Sequence, residues 1–587
     1  MREGYIEDYI SGLEVRATPE EVQAVQPLAK LLVEDYGYPK ELIVTHPQYR
    51  VKIRPSDEKK EYPIDIGVFS DKAKTDDDIY IVGECKKKTR KDGKTQLMDY
   101  LRFCKATLGV WYNGDERIYL RKYERDGKIE FVEIPNIPKY GQRIEDVGKF
   151  KRCELQATHN LKGTFKAIRN HLAANTVGAT RDEVLAQQLI NIIFCKIYDE
   201  RHTEPDEMVT FRAGIDESPE EVKQRILNLF VDVKQKYKGV MDKDDSISLD
   251  ANSIVYVVGE LQNYCLVEAE RDIIADAFET FIDHALKGGQ GQFFTPRNVV
   301  RMMVEMLDPT AEDSIIDPSC GSGGFLVEAL RYVWKKLDVE GEKYRWSPAD
   351  LRDERMDFAL NRICGIDKDY FLAKVAKAYM AILGVNKSGI FCEDSLEKIE
   401  HWDNKTKMRI SKGKFTVVFT NPPFGSKIPV KGEEKLLQYD LGHKWSIDKK
   451  TGEWSKGKLK DKESPQVLFI ERDLQLLADY GRMAIVLPDG VFGNDTFTYI
   501  RSWLKKQGRI LAIVDIPIET FQPNTSTKTS VLVFQKLPKD KIPEDYDIFM
   551  AIATTCGHDR RGNEIASDEI QMVAQEYKKW LNNQVIN

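Results

Sequence analysis

No apolar stretch in the 587 residues approaches the roughly 18 positions that a membrane-crossing helix needs. Cysteine is sparse and scattered, with nine residues and none in a CxxC pair. That pattern argues against a disulfide framework and a clustered zinc site, and makes a reducing cytoplasm the expected compartment. The opening MREGYIEDYI carries acid and no apolar core, unlike a cleavable secretory leader. GxxxxGK[ST] does not occur, so an ATP-driven motor would need another chain. No internal period and no low-complexity segment is visible, which sets aside solenoids and solvated tails. Basic residues are in the minority, 88 Lys and Arg against 95 Asp and Glu, for a formal charge of −7. Coating nucleic acid by bulk charge is thereby disfavoured. An enzyme with a local basic track or a basic partner is not.

What is present falls into four textures. Residues 1–35 read as helix: Thr18-Pro19-Glu20-Glu21 is a capping box, followed by Val22, Val25, Ala29 and Leu32 at helical spacing. Residues 40–135 read as strands. YPIDIGVF and DIYIVGEC flank the turn-rich DKAKTDDD, and a second hairpin turns at Asn113-Gly114. Residues 155–285 are helical again, capped at Thr180-x-x-Glu183 and at Ser218-Pro219-Glu220-Glu221, the latter helix burying Val222, Ile226, Leu229 and Phe230. From residue 290 the runs DSIIDPS, RICGID, FTVVFTNPP, RMAIVLPDG, ILAIVDIP and SVLVFQK alternate with helix-length stretches. That alternation predicts a largely parallel, doubly wound sheet. A Lys-rich polar insertion at 425–465 interrupts it, and connections of that length are functional or mobile.

Two loops carry candidate chemistry. Asp317-Pro318-Ser319-Cys320-Gly321-Ser322-Gly323-Gly324 follows a strand and opens a helix, where glycine lets backbone approach a ligand. Asp367 ends the next strand and suits ribose hydroxyls; without a P-loop lysine, a nucleoside ligand fits better than a triphosphate. The strand Phe415–Phe419 ends in Thr420-Asn421-Pro422-Pro423-Phe424. The prolines stiffen the backbone, Asn421 offers an acceptor and Phe424 a flat face, a set able to hold an exocyclic amine and stack its ring.

With these motifs the chain resembles adenine-N6 DNA methyltransferases of the gamma class, specifically the modification subunit of type I restriction systems. The matching elements occur in order: GQFFTPRNVV at 291–300, DPSCGSGGF at 317–325, GIDKD at 365–369, CEDSL at 392–396, NPPFG at 421–425, GRMAIVLPDGVFG at 481–493 and FQPNTSTKTSVLVF at 521–534. The resemblance implies S-adenosylmethionine as cofactor. Phe294, Thr295, Asp317, Ser319, Gly321 and Gly323 would lie toward its methionine end, Asp367 on its ribose, and Asp394 and Leu396 at its adenine. Asn421 and the Pro422 carbonyl would accept from the target N6 amine, with Pro423 fixing the turn and Phe424 stacking on a flipped base.

At the N-terminal end, Asp65 is placed in the first strand of its hairpin, and Glu84 and Lys86 share a face at the end of the second. Carboxylates beside a lysine suit Mg²⁺ and an activated water, and Gln96 and Tyr100 share one face of the following helix. This arrangement resembles the PD-(D/E)xK nuclease fold of type I restriction subunits, although Ile64 separates Pro63 from Asp65. The resemblance implies Mg²⁺ on Asp65 and Glu84, with Glu34 as the upstream helical acid. Lys87, Lys88, Arg90 and Lys91 are candidate DNA phosphate contacts.

The expected architecture is α/β and multidomain: a PD-(D/E)xK nuclease-like domain at 1–150, a helical connector at 151–288, a Rossmann-like methyltransferase domain at 289–540 and a helical tail at 541–587. The expected function is adenine-N6 methylation of DNA combined with a Mg²⁺-dependent endonuclease, a fusion resembling type IIB enzymes. The implied partners are duplex DNA, a separate specificity subunit and a second copy of the chain. The rivals are a methyltransferase-only subunit with a degenerate N-terminal domain, and a non-enzymatic scaffold.

Overall fold

The structure, a computed structural model, describes residues 2, 4–52, 62–90, 92–157, 161–175, 182–267, 295–425, 428–522, 525–561 and 563–586. Phe294, Lys91 and the Thr180 cap lie outside the described residues. The chain divides into two compact units, one holding residues 1–238 and 242–285, the other centred on 286–587. Among the described residues no helix is long and apolar enough to cross a membrane.

The first unit is built on a six-stranded sheet of β1 Ile43–Val44, β2 Ile66–Phe69, β3 Ile79–Cys85, β4 Leu108–Tyr112, β5 Arg117–Arg125 and β6 Lys128–Ile134, in that spatial order. Both expected hairpins form. Asp71 and Asp78 close the β2–β3 turn by accepting from Ala73 N at 2.8 Å and Thr75 N at 3.0 Å. Gly114 turns the β4–β5 hairpin at φ +86°, and an added Cβ there would sit 2.4 Å from the Gln23 carbonyl oxygen. Only β3 and β4 pair in parallel, which requires a crossover.

Two helices cover the faces of this sheet, α1 Gln26–Glu34 and the crossover helix α2 Gly93–Phe103. Leu28, Ala29 and Leu32 pack with Ile66, Val68 and Ile81 on one face; Leu97, Tyr100 and Leu101 pack with Phe69, Val82 and Trp111 on the other. Covered on both sides, β3 is apolar nearly throughout, so the buried charges at its end stand out.

Helices α3 Leu161–Asn175, α4 Asp182–His202, α5 Pro219–Lys236 and α6 Ala251–Leu261 complete the unit. The Ser218–Glu221 capping box forms, and α5 buries the four residues its spacing singles out. Arg117 of β5 pairs with Glu260 of α6 in the interior, and Asn136 Nδ2 donates to the Gly259 carbonyl at 2.9 Å. The expected boundary at 150 therefore falls inside one compact unit.

The second unit contains an eight-stranded sheet ordered β9-β8-β7-β10-β11-β13-β12-β14. Its strands are β7 Ile315–Asp317, β8 Ile363–Asp367, β9 Gly389–Cys392, β10 Phe415–Thr420, β11 Leu477–Pro488, β12 Gly508–Asp515, β13 Thr529–Lys536 and β14 Phe549–Ile552. All six apolar runs noted above supply strands, and all pair in parallel except β13, which lies antiparallel between β11 and β12. Strand order proceeds in opposite directions from the β7–β10 pair, so the carboxyl ends of those two strands open the crevice where ligands bind in such sheets. Helices α7 Arg297–Leu307, α8 Gly324–Tyr344, α9 Tyr370–Ile382 and α10 Pro465–Leu476 belong to this unit.

Three regions depart from expectation. Within residues 1–35, expected to be helical, Tyr5–Glu7 and Glu14–Arg16 pair as a short antiparallel hairpin ahead of the helix. Residues 541–587 contribute the edge strand β14 and a small antiparallel pair before the helix α11 Ile570–Ile586, so they extend the sheet rather than trail from it. Asn298 of α7 ties this region in, donating from Nδ2 to the Cys556 carbonyl at 3.0 Å and to Asp568 at 3.1 Å. The described residues of the insertion are also ordered. Its described part contains a short pairing of Val430–Lys431 with Lys462–Glu463 and a longer ribbon of His443–Ile447 with Trp454–Leu459.

Candidate active site

At the end of β7 the backbone turns through Gly321 and Gly323, at φ +52° and +90°, before entering α8. No atom lies within 4 Å of where a Gly321 side chain would begin, so the turn leaves an open cradle of backbone. Gly321 N donates to Asp367 Oδ2 at 2.9 Å, Asp369 N to Asp367 Oδ1 at 2.8 Å, and Ser319 N to Asp317 Oδ1 at 2.9 Å. Burial pushes the Asp317 carboxyl well above the usual range, and Asp367 adds to the shift; burial also raises Asp367. Two acids desolvated beside an open glycine turn favour a cationic, nucleoside-bearing ligand, and S-adenosylmethionine fits that chemistry.

The β10 loop lies against this cradle. Ser319 Oγ and Thr420 Oγ1 are 2.6 Å apart and join the two loops. Asn421 Nδ2 donates to Thr295 Oγ1 at 3.0 Å, while Asn421 Oδ1 is buried and meets no donor among the described residues. Leaving a buried acceptor unpaired costs about 1–3 kcal/mol, a penalty that an incoming N–H donor removes. Pro422 is buried, whereas Pro423 and Phe424 are partly exposed. Gly425 N donates to Gln466 Oε1 of α10 at 3.2 Å, which fixes the far end of the loop.

Asp394 accepts from Leu396 N at 3.0 Å and pairs through Oδ2 with Lys435 at 2.7 Å. The sequence did not single out Lys435, which belongs to the short helical turn Glu433–Leu436 of the insertion. It also reaches Glu397 at 3.2 Å, and the two carboxylates outweigh burial and raise its pKa. Tyr439 Oη and Gln438 Nε2 donate to the carbonyl of buried Leu396 at 3.0 and 2.9 Å. Arg472 backs both, donating to Tyr439 Oη at 3.0 Å and Gln438 Oε1 at 2.7 Å. The insertion thus braces the Asp394 corner. Lys435→Ala is expected to weaken S-adenosylmethionine binding about two- to fivefold, the range of a partly exposed ion pair, as read by calorimetry. Tighter binding would mean that the lysine masks the carboxylate instead.

In the first unit, Asp65 immediately precedes β2 rather than lying within it. It accepts from Cys85 N at 2.7 Å and from Gln48 Nε2 at 3.2 Å. Glu84 and Lys86 at the end of β3 are buried and in direct contact. Burial lifts Asp65 to about 6 against the opposing pull of Cys85 N and Lys86. Burial and then the Asp65 charge lift Glu84 to about 8. Gln96 Nε2 donates to Tyr100 Oη on α2; burial raises the pKa of that phenol, and Glu84 and Asp65 add to the shift.

Glu34 is not part of this group. It accepts from Tyr9 Oη at 3.1 Å and faces Lys30 at 3.7 Å at the end of α1. The helical acids whose charge acts on Asp65 are Glu20 and Glu21, and Glu20 acts on Glu84 as well. Glu21 is engaged with Gln26 and His46. The capping box Thr18-Pro19-Glu20-Glu21 contained both residues, but helical spacing does not say which acid faces the sheet. Lys87, Lys88 and Arg90 are exposed, with Lys88 3.7 Å from Asp115 and Arg90 paired to Asp92.

The family model for N-6 DNA methylases matches residues 269–586, and that for the type I restriction enzyme R protein N terminus matches residues 19–138. The type I restriction enzyme EcoEI methylase subunit of Escherichia coli is 30% identical over 271 residues, covering 46% of this chain and 47% of the relative. The MjaVII methylase subunit of Methanocaldococcus jannaschii is 23% identical over 319 residues, covering 53% and 49%. The matches thus span about half the length of these relatives. A solved modification subunit assigned to a type I restriction enzyme of Vibrio vulnificus YJ016 superposes with a TM-score of 0.50 at 18% identity, over 74% of this chain and 91% of that one. The methylase match takes in every described element of the cradle and the Asn421 loop: the chain belongs to the N-6 DNA methylase family.

Proposed function

We propose that the chain transfers a methyl group from S-adenosylmethionine to the N6 amine of adenine in duplex DNA, as the modification subunit of a restriction-modification system. The observation that carries this is the buried Asn421 Oδ1, without a partner among the described residues and held beside the Gly321 cradle by the bond from Nδ2 to Thr295. When bound, S-adenosylmethionine supplies a methyl group on an electrophilic sulfonium. Asn421 Oδ1 and the Pro422 carbonyl accept from the two N6 hydrogens, which localises the nitrogen lone pair toward the methyl carbon. Attack by N6 would displace S-adenosylhomocysteine, and the proton lost from N6 would pass to solvent water. Phe424 supports the base outside the helical stack. Positioning and oriented acceptors supply the catalysis. Sequence selection is assigned to a separate specificity subunit. The test is transfer of labelled methyl to duplex DNA with that subunit present, with N6-methyladenosine identified after digestion. Label on cytosine, or on no base, would sink the reading.

We further infer a Mg²⁺-dependent DNA cleavage centre in the first unit. Asp65, Glu84 and Lys86 support it: two carboxyls desolvated by burial, the Asp65 charge adding to the cost of ionising Glu84, lie beside an ammonium, a donor set that fits a hard divalent cation. Asp65 and Glu84 would hold the ion, which when bound polarises a phosphate and lowers the pKa of a bound water. Lys86 would orient that water.

A pH signature follows from the same carboxyls. Asp65 rises from 3.8 to about 6 and Glu84 from 4.5 to about 8, so the folded chain retains protons that the unfolded chain releases. Their stabilising contribution is complete below both unfolded values and is lost as pH rises through about 6 and then about 8. Mg²⁺ should therefore raise the melting temperature more at about pH 8.5 than at about pH 5.5, and Glu84→Gln should reduce that difference. An equal Mg²⁺ effect at both pH values would count against the centre.

A further inference from the structure

The 443–462 segment carries seven lysines against three acids, in a chain whose formal charge is −7. The ribbon within it is two-faced. Trp445, Ile447 and Trp454 lie on one side, and Trp445 and Trp454 stand against Tyr499 with ring centroids 6.2 and 6.1 Å away. Trp445 Nε1 also donates to the Asp440 carbonyl at 3.1 Å, and Lys456 pairs with Asp440 at 2.6 Å. Because strand side chains alternate, the opposite face presents Lys444, Ser446 and Ser455, and the register shift that pairs Leu459 with His443 brings Lys458 to the same face, all four exposed. Lys449 and Lys450 occupy the turn, which Gly452 closes at φ +73° by donating to the Asp448 carbonyl at 2.7 Å. Lys444, Lys449, Lys450 and Lys458 form no ion pair among the described residues, unlike Lys456 and Lys460.

Both ends of the insertion are rooted at the Asn421 loop. It departs after Gly425 and returns at Pro465, and Gln466 Oε1 of α10 holds Gly425 N. A ribbon anchored by its aromatic face, with lysines and serines on the free face, in an insertion rooted at the Asn421 loop, has the chemistry of a phosphate-binding surface.

We infer that this ribbon grips the phosphate backbone of duplex DNA next to the adenine presented to Asn421. The inference rests on the methyltransferase reading for the identity of the duplex. It assigns the ribbon affinity and register rather than base recognition.

The test uses the full-length chain and a fluorescent duplex of about 30 base pairs, titrated by anisotropy from about 50 to 200 mM salt. Replacing Lys444, Lys449, Lys450 and Lys458 by alanine should lower affinity about tenfold or more and flatten the log–log salt slope by about three to four, one per lost phosphate contact. The matching arginine variant should restore both, whereas a role confined to folding would not track charge. All four positions are exposed, and S-adenosylmethionine affinity measured in parallel should be unchanged. An alanine variant with wild-type affinity and slope, or a wild-type chain with no salt-sensitive duplex binding, overturns the inference. Salt-sensitive binding by a chain that takes up no S-adenosylmethionine would instead sink the methyltransferase reading and leave the ribbon standing.

Discussion

Asn421→Ala is expected to reduce methyl transfer to adenine about 100- to 1,000-fold while S-adenosylmethionine binding changes less than about twofold, as removal of one oriented polar group from a charge-stabilising site does elsewhere. The separation arises because Asn421 acts on the acceptor amine, while the cofactor cradle is built from the β7 turn and Asp367. An aromatic amine is a poor nucleophile, so the acceptor matters chiefly in the transition state, and the loss should fall on kcat. Thr295→Val probes the next link. It removes the oxygen that holds Asn421 Nδ2, so the amide can rotate, and an intermediate loss of about tenfold is expected. If Asn421→Ala left kcat intact and altered only cofactor affinity, the buried oxygen would belong to the cofactor pocket and the proposed chemistry would be wrong.

Asp65→Ala and Lys86→Ala should each reduce Mg²⁺-dependent DNA cleavage by the assembled system on the order of 100-fold or more, with methyl transfer unaffected, because the metal supplies several kcal/mol of charge stabilisation. The residues proposed for the two activities belong to different compact units, so each set serves as the control for the other. Glu20→Ala should also impair cleavage, whereas Glu34→Ala should not. Asp65 is buried and hydrogen-bonded, so melting temperatures of the variants must accompany the assay; Asp65→Asn preserves the shape and the Cys85 contact while removing the charge. Cleavage that survives Asp65→Asn and Lys86→Ala at wild-type rate would favour the rival in which this unit only binds DNA or a partner.

Much of the second sheet was legible because its strands are covered on both faces. SIID, CGID, TVVF and AIVLP read as apolar runs, and the first three end in the residue the site uses or in the turn beside it. The Asn421 and Gly321 loops were legible for a related reason, since turns at strand ends need glycine and proline at fixed places. Legibility failed where specification is by long-range partners. β14 is four residues at an edge, with Met550 and Ile552 largely exposed, so no burial pattern announces it. Lys435 looked like any lysine of a polar insertion; only the fold brings it to Asp394. Glu20 and Glu34 both lie at plausible helical offsets, and the choice between them depends on how the N-terminal helix meets the sheet. The composition signal was real but coarse: an acidic chain concealed a basic ribbon.

The bonds from Asn298 to Cys556 and Asp568 also have a meaning in time. Asn298 and Asp568 are 270 positions apart, and synthesis at about 5–20 residues per second separates their appearance by roughly 15–50 s. During that interval α7 has emerged without its partner, and β12 waits for β13 to complete its side of the sheet. The first unit, finished by residue 285, suffers no such delay. On every ribosome the half of the chain proposed to cut DNA matures before the half proposed to mark it as self. A newborn chain of this design must draw its restraint from something other than its own methyltransferase, and late assembly with the subunit that selects the sequence would supply it.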